Sequence, residues 1–189
     1  MIYTPPPDTF SYLEPYDEIE KFAKRYWEIK GDDEEFKKLV NFVKYSANPI
    51  LQNALDSIMQ NIESLTLFED FYVHKVTVWK HPRFMKCHLH NHNFFEMVYV
   101  LKGKVDNIIR NQLYKMSEGD ICLLAPNVYH KLKVFDDSLI INIIMKKSLF
   151  EEQFLSRFLP ENNIIKFIKQ NFYTPPYRKT RLSNNSFPT

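Results

Sequence analysis

From Asp17 onward the apolar residues Ile19, Phe22, Ala23, Tyr26 and Ile29 recur every three or four positions, which lines one face of a helix, and Gly31 follows as a stop. A second helix is predicted from Asp32 or Asp33. There Glu34 and Glu35 suit the positive end of a helix dipole, and Phe36, Leu39, Val40 and Val43 share a face. A third follows Asn48-Pro49, a capping residue with proline in the first turn, and presents Ile50, Leu51, Leu55, Ile58 and Ile62. Residues 1–14 contain Pro5-Pro6-Pro7 and no period, so they are read as an extended arm, and 15–66 as a helical appendage.

Near Leu67 the period changes to short runs rich in Val, Ile, Tyr and Phe, separated by turn residues. Strands are predicted over 71–79, 86–91, 95–102, 104–110, 112–116, 121–124, 129–135 and 139–145. The turns include Lys102-Gly103-Lys104, Arg110-Asn111-Gln112 and Glu118-Gly119-Asp120. Many short strands joined by tight turns imply an antiparallel sandwich or small barrel over 67–147. Helical spacing returns over Ser148–Leu159 and again over Asn163–Tyr173, so 148–173 are read as C-terminal helices, a candidate for dimerisation. The polar, aperiodic residues 174–189 are read as a disordered tail.

Composition narrows this picture. A chain of 189 residues that is 44% hydrophobic suits one principal domain. With 25 Lys+Arg against 23 Asp+Glu, the net charge of +2 lacks the strong positive field of a chain that grips nucleic acid over much of its surface. Cys87 and Cys122 form no CxxC pair, so reduced thiols are expected. No basic region precedes an apolar leader, and no apolar run approaches the ~18–20 residues that span a bilayer, so a cytoplasmic protein with no membrane partner is expected. Aromatics at 15% favour a thick core or an interior cavity, although a low-GC coding bias gives the same enrichment.

The chemistry concentrates in His90-Asn91-His92-Asn93-Phe94-Phe95-Glu96 and the distant His130. Residues two apart on an extended strand face the same way, so His88, His90, His92 and Glu96 are expected on one face of a continuous strand. Enclosing three imidazoles and a carboxylate requires water, a polar ligand, a metal or mutual hydrogen bonds. With His130 from another strand, the set suits Zn, Fe, Mn, Ni or Cu with open coordination positions. Trp79, Phe94 and Tyr99 are candidates for a cavity wall, with core packing as the competing role. His74 and His81 are read as ordinary surface or core histidines, and Arg178, Lys179 and Arg181 as a solvated basic cluster.

The run His90-x-His92-xxx-Glu96-xxxxxx-Gly103 resembles the first cupin motif, and Gly119 to His130 resembles the second in order and spacing. Departures are Phe84 where the motif has glycine, Ala125 for a proline, Asn127 for a glycine and Val134 for a closing asparagine. Asparagine tolerates the left-handed backbone, so Asn127 is a mild change. More finely, the segments His90–Gly103, Gly119–His130 and Asp136–Phe154 look like the N-terminal effector-sensing and dimerisation domain of AraC-type transcription regulators, a resemblance covering about residues 70–172. It implies a mainly β antiparallel double-stranded β-helix, the cupin or jelly-roll barrel, with flanking N-terminal and C-terminal helices. It further implies a small polar effector such as a sugar contacting His90, His92, Glu96 and His130, and a homodimer. Regulators of this kind read DNA through two C-terminal helix-turn-helix units, and this chain stops before any. The expectation is therefore a sensor without direct DNA binding and without catalytic residues. The alternative is a metal-dependent cupin enzyme, an isomerase or dioxygenase, in which the same four residues hold Zn, Fe, Mn or Ni. A third is a pure dimerisation module whose barrel is filled by apolar side chains.

Overall fold

The change of period near Leu67 is where the structure passes from helices to sheets. It is a computed structural model that describes residues 10–60, 64–150 and 163–172. Helix α1 (Glu18–Ile29) opens with a reciprocal cap: the Glu20 amide donates to the Asp17 side chain, and the Asp17 amide donates to the Glu20 side chain. Helix α2 (Asp33–Tyr45) starts where the Asp32 side chain accepts from the Glu34 and Glu35 amides. Helix α3 (Pro49–Met59) starts where Asn48 accepts from Ile50 and Leu51. The three stripes meet in one core containing Phe22, Tyr26, Val43, Leu55 and Ile58, which Phe84 joins from the barrel side. Ile50, expected on the buried stripe of α3, is 58% exposed. One position before Leu51, it points about 100° away from the line of Leu51, Leu55 and Ile58.

Nine strands follow among the described residues: β1 (Leu65–Leu67), β2 (Val76–Lys80), β3 (His90–His92), β4 (Phe95–Lys102), β5 (Lys104–Ile109), β6 (Gln112–Ser117), β7 (Ile121–Leu124), β8 (His130–Lys133) and β9 (Leu139–Met145). They form a five-stranded sheet ordered β1-β3-β8-β5-β6 and a four-stranded sheet ordered β2-β9-β4-β7. Every pairing is antiparallel except β1 with β3. Two sheets, antiparallel but for one pair, fit the mainly β architecture expected of residues 67–147.

Several predicted boundaries move. Strand β1 lies inside the stretch read as helical, and the strand predicted from 71 begins at Val76, after a 3-10 turn at Glu69–Phe71. The strand predicted over 86–91 shrinks to His90–His92, and residues 81–89 form an irregular wall. Pro82 fixes its own φ there and offers no N–H to a ladder, while Phe84 takes a left-handed backbone with φ 62°. The strand predicted over 129–135 is His130–Lys133. The arm residues 1–9, the helical segment 151–159 and the tail 174–189 lie outside the described residues.

Alternation decides what fills the barrel. On β4, Glu96, Val98 and Val100 point inward while Met97 and Tyr99 stay partly exposed; on β9, Ile140, Asn142 and Ile144 point inward. Val98, Val100, Val105, Met116, Leu124, Leu132, Val134 and Ile140 close one end as a packed core, each burial contributing roughly 1.5–3 kcal/mol. The turns follow their residues. Arg110 and Asn111 both have positive φ, as a two-residue hairpin between β5 and β6 requires. At Gly103, with φ 81°, a Cβ would collide with the Ser138 side chain, whose hydroxyl accepts from the Lys104 amide.

Two attachments fix the helices to the sheets. Glu20 on α1 and Arg83 on the irregular wall are fully buried partners, with the Arg83 backbone amide, Nε and Nη2 all donating to the Glu20 carboxylate at 2.8–3.0 Å. Helix α4 (Asn163–Phe172) buries Ile165 and Ile168 against Phe95, Ala125 and Phe150. No helix among the described residues is long and apolar enough to cross a membrane.

Candidate metal and ligand centre

The segment His90 to Glu96 is not one continuous strand, as the expectation of a single shared face had it. Strand β3 ends at His92, the chain bends at Asn93-Phe94, and β4 continues in the opposite sheet. The bend carries the chemistry, because it lets His90 and His92 approach Glu96 from facing sheets. His130 sits beside them on β8, directly paired with His90. Two latches hold the crossing: the Asn93 side chain accepts from the Glu69 amide at 2.7 Å, and the Asn127 amide donates to the His92 carbonyl at 2.6 Å. Asn127 has φ 65°, so it takes the left-handed backbone expected of it.

His90, His92, Glu96 and His130 all converge, and His92, Glu96 and His130 are buried. Glu96 Oε2 lies 3.0 Å from His92 Nε2 and 3.1 Å from His130 Nε2. Ligand atoms of His90, Glu96 and His130 lie within 4.8 Å of one another, and His92 stands on the other flank of Glu96, stacked on Phe94 with ring centroids 4.2 Å apart. His88, also expected on this face, stands outside this group, its Nε2 meeting the Ser57 carbonyl of α3 at 2.9 Å.

The outer nitrogens decide the protonation pattern. Nδ1 of His90 faces the His88 carbonyl at 3.0 Å, Nδ1 of His92 faces the Phe94 carbonyl at 2.7 Å, and Nδ1 of His130 faces the Val128 carbonyl at 3.3 Å. A carbonyl only accepts, so each Nδ1 carries a proton, and in the neutral ring each Nε2 presents a lone pair. The His92 and His130 Nε2 atoms are buried with no hydrogen-bond geometry satisfied, although both lie close to the carboxylate. Burial alone would raise the Glu96 carboxyl, but where protons on the His130 and His92 Nε2 atoms complete the centre, their hydrogen bonds and charge hold it well below the usual carboxylate range and Glu96 is an anion. Burial, with His130 close by, pushes His90 down to about 4 and keeps its ring neutral near pH 7. Inward-facing lone pairs beside a carboxylate form a centre that a positive charge would complete. Backbone carbonyls orienting the ligand rings is the usual outer support of a metal-binding histidine.

Beside the cluster opens a cavity of about 220 Å³. Trp79 and Phe94 line it as expected, together with Tyr72, whereas Tyr99 faces away from it on β4. Sequence reasoning missed several polar members, among them His81, Asn142 and Lys86. Asn142 left a signal: it is a lone polar residue in the apolar run Leu139–Met145, on the inward phase of the strand. Cys87 also lines the cavity, and burial pushes its thiol up to about 11, so it stays protonated.

The family model described as a cupin domain matches residues 75–139, from just before β2 to the start of β9. Among solved structures the chain is similar to an RmlC-like cupin from Shewanella frigidimarina, at 18% identity over 44% of this chain and 74% of that one, with a TM-score of 0.36. It is similar to a cupin protein from Bacteroides fragilis at 20% identity, over 46% of this chain and 77% of that one, with a TM-score of 0.35. It is also similar to KdgF from a Halomonas species at 20% identity, over 38% of this chain and 66% of that one, with a TM-score of 0.33. No curated protein sequence matches the chain. The match over 75–139 takes in strands β2 to β8 and both motifs that carry the histidines and the glutamate.

Proposed function

We propose that the barrel binds a small polar effector at a divalent transition-metal centre held by His90, His92, Glu96 and His130, and that it serves as the sensing module of an AraC-type regulator. The observation that carries the metal is the set of inward Nε2 lone pairs around one buried carboxylate, each ring fixed by a backbone carbonyl. Three nitrogens and one oxygen suit Fe, Mn, Ni or Zn, and a cavity on one side leaves room for a ligand oxygen. When bound, such a metal would supply a Lewis-acidic point for an anionic or hydroxyl oxygen. Sensing, rather than turnover, rests on the resemblance of the segments around the two motifs. It requires that the effector prefer one conformation of the barrel or its helices over another. Homodimerisation is part of this proposal and is read out by sedimentation of the full chain.

The test is elemental analysis of protein purified without added metal, together with His90→Ala. Stoichiometric Fe, Mn, Ni or Zn in the parent, lost in the variant, is the expected result. Absence of metal, combined with no thermal shift on adding any of these ions, would overturn the metal centre. Incubation of the metal-loaded protein with a ligand found by thermal shift then separates the two roles. Recovery of the ligand unchanged supports sensing, whereas its conversion supports the enzyme reading, which the open side of the donor set favours.

A further inference from the structure

Across the cavity from the histidines is a second polar point that the metal reading does not use. Asn142 is 3% exposed, and its Oδ1 is buried without a hydrogen-bond partner, although it lines the cavity. Its Nδ2 lies 3.4 Å from His81 Nδ1. With the amide donating there, the His81 ring carries its proton on Nε2, and burial, which pushes His81 down to about 4, keeps that ring neutral near pH 7. An orphaned buried carbonyl is costly, so a polar side chain held this way in a cavity wall points to an absent partner. That partner must donate a hydrogen bond to Oδ1.

The register sets the reach. Asn142 pairs with Val98 while Glu96 pairs with Ile144, so Asn142 and Glu96 are diagonal neighbours on the inner face, about 7–8 Å apart. A volume of about 220 Å³ is below the ~300–1,000 Å³ of sites for drug-sized molecules, so the occupant is short. The Lys86 side chain also forms part of the cavity wall. Its Nζ donates to the Gln60 carbonyl at 2.8 Å, which holds it near the C-terminal end of α3. The aliphatic and aromatic sides, Leu132, Ile144 and Trp79, suit the carbon skeleton between two polar ends.

We infer that Asn142, supported by His81, is the specificity residue of the site and reads a hydroxyl of a small hydroxy acid whose carboxylate end lies at the His90–Glu96–His130 cluster. This rests on the metal-centred reading for the carboxylate end only; the hydroxyl contact stands on Asn142 itself.

The experiment is calorimetric titration of the full chain loaded with Ni or Zn, using malate against succinate, which differ by one hydroxyl. Tighter binding of malate by tenfold or more is expected, because succinate leaves the Asn142 carbonyl unpaired. Asn142→Leu should abolish that preference while leaving metal stoichiometry unchanged. Without ligand it should melt at the same or a higher temperature, since it removes an unpaired buried group; a purely structural asparagine would instead be missed on heating. His81→Phe should reduce the preference in the same direction, which guards against a folding defect in the first variant. Equal affinity for the two acids, no binding of either at millimolar concentration, or a preference surviving in Asn142→Leu would each overturn the inference. If the parent binds no metal, the same titration on metal-free protein decides it. A hydroxyl preference that disappears in Asn142→Leu upholds the Asn142 contact while the metal centre fails, and its absence overturns both.

Discussion

Among the described residues two carboxylates are buried, and they are treated in opposite ways. Glu20 is saturated: it accepts from Arg83 through the backbone amide and two guanidinium nitrogens, from Lys80 Nζ at 2.7 Å and from the Asp17 amide. Glu96, just as deeply enclosed, meets two imidazole nitrogens at 3.0 and 3.1 Å whose outer nitrogens have already committed their protons to carbonyls. Formal charge is balanced at Glu20 by side chains of the same chain. At Glu96 the balance needs a proton or a cation from outside. Completed polar networks stabilise a fold, and incomplete ones in a cavity mark where something binds.

The largest effect should come from breaking the complete network. Arg83→Ala removes both guanidinium donors from the buried Glu20 and leaves Lys80 as its one cationic partner, and a loss of roughly 3 kcal/mol is expected from urea denaturation. Acid supplies the next test. Burial alone would raise the Glu20 carboxyl, but the hydrogen bonds from Arg83 and Lys80 outweigh it and lower it from 4.5 to about 2. A depressed carboxylate contributes stability that is fully present above its unfolded value, so this contribution should fade as pH falls from about 4.5 through 2. Melting curves of Arg83→Ala should show a smaller step, since Lys80 and the backbone amides still lower the carboxyl, and a parent and variant with the same acid profile would sink the assignment. The smallest effect is expected at the incomplete network. In metal-free protein Glu96→Gln should shift stability by no more than about 1 kcal/mol, because the amide can donate to a lone pair that the carboxylate cannot satisfy. If that variant were as damaging as Arg83→Ala, the contrast between the two carboxylates would collapse.

How far these features are legible in the sequence depends on the range of the cause. Local causes could be read: the stripes of α1 and α2 from their spacing, β7 and β9 from their flanking turns, and the left-handed backbone of Asn127 from the residue type. The four site residues could be named from two motifs, but not the way they meet. A period-two reading carries His88 to Glu96 along one strand, whereas the bend at Asn93-Phe94 moves Glu96 into the other sheet and His88, before β3 begins, bonds to the Ser57 carbonyl of α3. Glu20 reads locally as a capping residue, which it is. Its second role depends on Arg83, 63 positions away, and no spacing rule reaches that far. His81 looked ordinary because its partner Asn142 comes from β9.

Phe84, the bulky residue standing where the motif has glycine, bears on the order of assembly. A left-handed backbone at an aromatic residue is strained by about 1–3 kcal/mol, so neighbours must hold it there. Those neighbours come from both sides: its amide donates to the Val134 carbonyl beyond β8, its carbonyl accepts from the Trp27 indole of α1, and its ring meets Tyr16 edge-on. The rim of the cavity, which includes His81, Met85 and Cys87, can therefore settle only after helix and sheet have docked. The boundary near residue 66 divides two kinds of secondary structure, but it does not divide two cooperative units. The pocket wall is shared between them, with Ser57 of α3 facing residues of both sheets.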